Sequence, residues 1–192
     1  MGKFSDSNTN NFRLFLFLKE DILRIKIARS TLNSKFWLKR YWAYLFSPRL
    51  IPVVLCRLAY FFAKHNLGFI AKAFSMLNFI IFGIEISTKT FIDSGLMLPH
   101  TQGTVIGASY IGKNATIFQG VTLGAKFVDF DNAFRPRIGN NVLIGAGAKV
   151  LGPIVIGDNV NIGSNAVVLK SIHDNHLALG IPAKQYKIKF KD

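Results

Sequence analysis

The sequence predicts a mainly β protein: a parallel β-helix of six-residue repeats, preceded by an α-helical N-terminal region. Three observations carry this. Branched aliphatic residues return every sixth position at Ile138, Ile144, Val150, Ile156, Ile162 and Val168; upstream they fall at Ile86, Ile92, Leu98, Val105, Ile111, Ile117 and Leu123, with one step of seven near Gly103. Four places after these residues a small or β-branched residue recurs, as at Ala115, Val121, Val142, Ala148, Ile154, Val160, Ala166 and Ile172. Glycine directly follows the aliphatic residue at Gly112, Gly139, Gly145, Gly157 and Gly163. Helices repeat at about 3.6 residues and half-buried strands at about 2. A period of six therefore reads as short inward-facing strands joined by glycine-assisted turns, three to a coil.

With 192 residues, half of them hydrophobic, the chain has room for a solenoid plus a smaller helical unit. We divide it into a basic, apolar helical region over 1–84 and a β-helix over 85–192, with a loop at 125–137. The net charge of +14 is uneven: residues 1–84 hold 13 Lys and Arg against three acids, and residues 85–192 hold 11 against seven. Such charge attracts anionic lipid or a polyanionic small molecule; no nucleic-acid-binding signature accompanies it, so no nucleic-acid partner is expected. Cys56 is the lone cysteine and sits in an apolar run, where a thiol is ordinarily core. With no secretory leader at the start of the sequence, a cytoplasmic location is expected.

Taken in order, Met1 to Asn11 is polar and carries no functional signal. Phe12 to Arg29 reads as an amphipathic helix, with Phe15, Leu18, Ile22 and Ile25 on one side and Lys19, Arg24, Lys26 and Arg29 on the other. Phe36 to Phe46 is a second, aromatic helix stopped by Pro48. Ile51 to Lys64 and Leu67 to Ile84 are a third and a fourth, split by a turn at His65–Gly68. Three roles are open to these apolar helices: packing on the solenoid or between subunits, lying on the inner face of a membrane, or spanning it. Trp37, Trp42, Tyr41 and Tyr44 beside Lys39, Arg40 and Arg49 suit a headgroup region, so peripheral association with an anionic membrane is one expectation.

The solenoid begins near Ile84 and is broken between Gly124 and Ile138, where the period lapses and a loop should protrude. Its Phe127, Phe130 and Phe134 need cover from a subunit, ligand or membrane, while Asp129 and Asp131 read as solvated. A second irregularity, Pro99-His100-Thr101-Gln102-Gly103, falls where the spacing slips to seven. His100 is the one histidine among the repeats, and imidazole readily exchanges protons near neutral pH.

The runs GLMLPHTQGTVIGASYIGKNATIFQGVTLGA, RPRIGNNVLIGAGAKVLGPIVIGDNVNIGSNAVV and LALGIPAK resemble the hexapeptide-repeat acyltransferases, in particular the serine acetyltransferase branch with its polysaccharide O-acetyltransferase relatives. The resemblance covers roughly Glu85 to Lys184. It implies a left-handed β-helix, a homotrimer with active sites between subunits, and acetyl-CoA as co-substrate with no metal. It also implies that His100 takes the proton from the acceptor hydroxyl while Glu85, an Asp in the serine enzymes, orients the imidazole. Gly124, Ala125, Gly145, Ala146, Gly163 and Ser164 fall at equivalent coil positions on this reading, lining one edge for the pantetheine arm, with Lys126, Lys170 and Lys184 for the phosphates.

The acceptor expectation rests on departures from the family pattern. Serine acetyltransferases carry an Asp before the catalytic His and an Arg-His pair before the later Pro; here those positions read Pro99, Phe134 and Arg135. Losing charge-assisted contacts of about 1.5–3 kcal/mol each makes free serine a poor substrate on this reasoning. A sugar or lipid-linked sugar of surface polysaccharide biosynthesis becomes the expected acceptor, held by Gln119, Phe134 and Arg135. The alternatives are serine O-acetylation in cysteine biosynthesis and a non-catalytic or carbonic-anhydrase-like β-helix binding protein.

Overall fold

The structure is a computed structural model that describes residues 13–29, 47–127 and 132–188. The helix expected at Phe36–Phe46, together with Asp129, Phe130 and Asp131, lies outside these residues. Three helices lead: α1 (Leu14–Arg29), α2 (Ile51–Lys64) and α3 (Gly68–Phe82). Pro52 sits in the first turn of α2, where a missing N–H leaves no carbonyl unserved. Gly83 ends α3 in the left-handed conformation, φ 61°, and its N–H donates to the Phe79 carbonyl.

A three-sided parallel β-helix follows. Face one stacks β1 (Ile84–Ile86), β3 (Thr104–Ile106), β6 (Thr122–Gly124), β9 (Lys149–Leu151) and β12 (Val167–Val168). Face two stacks β2 (Phe91–Ile92), β4 (Tyr110–Ile111), β7 (Arg137–Ile138) and β10 (Val155–Ile156). Face three stacks β5 (Thr116–Ile117), β8 (Leu143–Ile144), β11 (Asn161–Ile162) and β13 (His176–Leu179), closed by the antiparallel β14 (Lys184–Lys187). The hexad residues fill the interior: Ile111, Ile117, Leu123, Ile144, Val150, Ile156 and Ile162 are wholly buried.

One hexad position is corrected. Val105 is 37% exposed and Ile106 is 1% exposed, because Ile86 pairs with Ile106 and Ile106 with Leu123. The inward series thus steps by eight from Leu98 to Ile106 and by five to Ile111. The net gain is still one residue, but the turn bearing His100 takes up two extra residues and the next corner gives one back.

Two of the three corners repeat a left-handed residue in every coil. Between faces two and three it is Gly95, Asn114, Asn141, Asn159 and Asn175; between faces three and one it is Gly103, Gly120, Gly147, Asn165 and Gly180. Asn tolerates this conformation among L-residues, and here it adds a ladder: the Nδ2 of Asn114, Asn141 and Asn159 each donates to the next coil's Asn Oδ1 at 3.1 Å.

The helices are pinned to the first coils by a buried ion pair. Asp21 and Arg57 are 0% and 2% exposed; Nε and Nη2 of Arg57 donate to the Asp21 carboxylate at 3.0 and 3.1 Å. Asp21 Oδ1 also accepts the N–H groups of Gly95 and Leu96, and Arg57 donates to the carbonyls of Ile92 and Asp93. Burial raises the Asp21 carboxyl above its ordinary range, and the guanidinium and the two amides oppose that shift. The pair also sets the rotation of α1. Asp21, Phe17 and Ile25 face inward and Phe15 is 86% exposed, so the apolar stripe read from Phe15 is displaced around the helix. Arg24, assigned to the solvent side, instead donates to Thr116 Oγ1 at 2.9 Å.

Among the described residues no helix is long and apolar enough to cross a membrane. α3 buries Ala71 and Asn78 and turns Phe69, Met76 and Ile80 outward.

Replacing Asp21 with Ala strands a buried guanidinium. Chemical denaturation should show a loss of about 3–5 kcal/mol, and a smaller loss when Arg57→Leu accompanies Asp21→Leu.

Candidate active site

His100 is exposed in the turn from face three to face one at the first coil. Two bonds fix that turn against the end of α3: Thr101 Oγ1 donates to the Phe82 carbonyl at 2.8 Å, and Gly103 N–H donates to the Gly83 carbonyl at 2.9 Å. Glu85 follows two residues after Gly83, exposed on β1 and in register with Val105. No hydrogen bond or ion pair joins Glu85 to His100 among the described residues.

Beneath His100 the same edge descends coil by coil. Gly120 N–H donates to the Gln102 carbonyl, Gly147 N–H to that of Gln119, and Asn165 N–H to that of Ala146, at 3.0, 2.9 and 2.8 Å. Gln119, Gly145–Ala146 and Gly163–Ser164 therefore form one column under the histidine. Adjacent coils lie about 4.8 Å apart. At the foot of the column Lys184 pairs with Leu179, which puts an exposed ammonium at the end opposite His100.

Gly124 and Ala125 are not in this column, contrary to the expectation of equivalent positions. Gly124 ends β6 opposite Leu151 and so turns the corner from face one to face two, with Ala125 and Lys126 after it. The glycines of the two edges also differ in purpose. A Cβ on Gly145 would lie 2.6 Å from the Ser164 backbone nitrogen, so its own fold demands glycine there. A Cβ on Gly124 would meet nothing within 4 Å, so packing within the single chain does not demand glycine there.

Phe134 is 47% exposed in a 3-10 turn at Asn132–Phe134, and Phe127 is 78% exposed beneath the Lys126 ammonium, 5.8 Å from its ring centroid. Arg135 Nη1 donates to the Gly107 carbonyl at 3.2 Å. Two of the residues selected from the sequence keep a buried polar atom without a partner, Gln119 Oε1 and Arg135 Nε. Cys56 is core, as expected: burial pushes its thiol up to about 11. Among the described residues no three His, Cys, Asp or Glu side chains cluster as metal ligands.

Sequence reasoning missed a cavity of about 410 Å³ on the edge from face one to face two, where Lys89, Arg135 and Arg137 converge beside Phe91 and Tyr60. The signal was available in the coil register. Once Ile86, Ile106 and Leu123 are stacked, Lys89 and Arg135 fall on one corner, two coils apart.

Residues 135–170 match the bacterial transferase hexapeptide (six repeats) family. The chain is 46% identical over 136 residues to the serine acetyltransferase of Helicobacter pylori strain J99, covering 70% of this chain and 79% of that one. It is 48% identical over 113 residues to the enzyme of Staphylococcus aureus strain Mu50, covering 58% and 53%. In structure it is similar to the Neisseria gonorrhoeae serine acetyltransferase, with a TM-score of 0.81 and 25% identity over 98% of this chain and 70% of that one. The Brucella abortus strain S19 serine acetyltransferase in complex with coenzyme A gives 0.80 and 30% over 93% and 70%.

The fold and repeats thus define a hexapeptide transferase with the expected left-handed β-helix. Within that class, the chain belongs to the serine acetyltransferase family, whose members are acetyl-CoA-dependent acyltransferases. The expected enzyme class and co-substrate hold, and a non-catalytic binder is set aside. The sugar acceptor and the polysaccharide branch do not hold, since the relatives at 46–48% identity are serine acetyltransferases. The reasoning from Pro99 and Phe134 counted lost charges one motif position at a time, whereas Arg135, Arg137 and Lys89 keep three cations at the edge where the loop returns.

Thermal melts should separate the two kinds of glycine. Gly145→Ala lowers the midpoint by several degrees through the backbone clash, and Gly124→Ala leaves it unchanged.

Proposed function

We propose that the protein transfers the acetyl group of acetyl-CoA to the hydroxyl of serine. His100 takes the hydroxyl proton as the serine oxygen attacks the thioester carbonyl, and Glu85 holds the imidazole in the receptive tautomer. As the carbon–sulfur bond breaks, the imidazolium returns the proton to the coenzyme A thiolate. O-acetylserine and coenzyme A leave, and His100 is again neutral.

The observation that carries this reading is the column of His100, Gln119, Ala146 and Ser164 on one edge, in a chain 46% identical to serine acetyltransferases. Small residues down that edge let the pantetheine arm lie against backbone, and Lys184 at its foot suits the coenzyme phosphates. We infer that a neighbouring copy in a homotrimer supplies the other wall, through Gly124, Ala125 and Lys126, with Phe134 and Arg135 beside the acceptor. The open space at Gly124 and the unpartnered atoms of Gln119 and Arg135 support a site completed from outside one chain. The outward apolar face of α3 is then buried between copies.

His100→Ala should lower turnover by roughly 10² to 10⁴ while acetyl-CoA binds nearly as before. Absence of O-acetylserine, in protein that still hydrolyses acetyl-CoA through His100, would overturn the acceptor. Light scattering should give three times the 21.4 kDa of one chain. A monomer that sediments with anionic vesicles, less so as salt rises, would assign the α3 face to a membrane instead.

A further inference from the structure

Lys149 stands half-buried on the outer side of face one, three rungs along from Glu85: Glu85 pairs with Val105, Val105 with Thr122 and Thr122 with Lys149. Its side chain leans back one rung toward the histidine. Nζ donates to the Gly120 carbonyl at 2.6 Å and to Thr122 Oγ1 at 3.1 Å, so two of its three N–H groups serve one corner. No backbone N–H among the described residues donates to that carbonyl. A hydrogen bond from an ammonium is roughly twice as strong as one from a neutral donor.

The corner so held is the one on which the His100 turn rests. Gly120 N–H donates to the Gln102 carbonyl at 3.0 Å, while Thr101 and Gly103 bond on the other side to the end of α3. The corner between faces two and three ties its coils through Asn side chains. Here Gly103, Gly120 and Gly147 stack and have no side chain to offer, and Lys149 supplies the tie from the flank. The need for it is greatest at this turn, which takes up two extra residues, because a longer turn has more conformations to lose.

We propose that Lys149 is a positioning residue for His100: by anchoring the Gly120 corner it fixes the height of the His100 turn, and with it the imidazole, above the groove. The inference rests on His100 acting as the base, and it requires no contact between Lys149 and either substrate. A misplacement of about 1 Å costs up to 10²-fold in rate, so the tie bears on kcat and not on binding.

The test compares Lys149→Met and Lys149→Arg in the full chain. Lys149→Met should lower kcat about tenfold, with KM for acetyl-CoA changed by less than about twofold. Lys149→Arg still presents N–H donors to Gly120 and should recover most of the loss. Hydrogen exchange gives a readout apart from turnover: the Gly120 amide should exchange about tenfold faster in Lys149→Met and at the wild-type rate in Lys149→Arg. Placed on His100→Ala, Lys149→Met should cost nothing further, because its effect passes through the imidazole. Unchanged kcat, an equal loss with and without His100, faster exchange throughout the coils, or a Gly120 amide that exchanges as in the wild type would each overturn the proposal. Normal turnover in His100→Ala would instead remove the base reading, and the exchange of Gly120 would then decide by itself whether Lys149 holds the corner.

Discussion

Stacking governs this molecule. Each inward aliphatic residue rests on its equivalent one coil away, so a side chain placed at a corner is repeated at about 4.8 Å intervals along an edge, whatever its distance in sequence. Left-handed Gly and Asn at two corners of every coil fix where the chain bends. The third corner carries no such repeat, and there the chain departs into the 125–137 loop and gathers its cations. The two edges differ accordingly: one carries a column of small residues below a histidine, and another a cleft lined by Lys89, Arg135 and Arg137.

Periodicity made the β-helix legible because its signal is carried by many residues at once. Shifting one strand out of register would expose a whole row of Ile and Val, so the spacing tolerates few errors. The mistake at Val105 arose where that redundancy is weakest, beside the irregular turn of His100. There the count of residues fixes only the sum of two neighbouring steps, and the pairing of Ile106 decides how it divides. The same limit explains Gly124. Its spacing from Leu123 looks like that of Gly145 from Ile144, but the two aliphatic residues belong to different faces, and only the pairing of strands reveals it.

The helical part was less legible, because its decisive contact is polar and distant in sequence. Asp21 looks like a surface charge on an amphipathic helix and Arg57 like an isolated charge on an apolar one; nothing local announces that they meet under the first coil. Their burial turned α1 away from the face suggested by its apolar pattern, since four hydrogen bonds to a carboxylate outweigh the exposure of one Phe ring. The acceptor failed for a related reason. Charge at a site is a property of a place, and Lys89 joins Arg135 and Arg137 from a distant stretch of chain.

The capping of the solenoid is unequal at its two ends. The first coil is clasped by Asp21 and Arg57 through the backbone of Ile92, Asp93, Gly95 and Leu96, whereas the last is closed by β14, whose residues are all exposed. In an array where each coil leans only on its neighbours, local opening starts at the loosely held end and advances inward. The groove is thus stiff at the histidine and compliant at Lys184, so a long ligand seated along it would have its reacting end held in register while its far end enters and leaves.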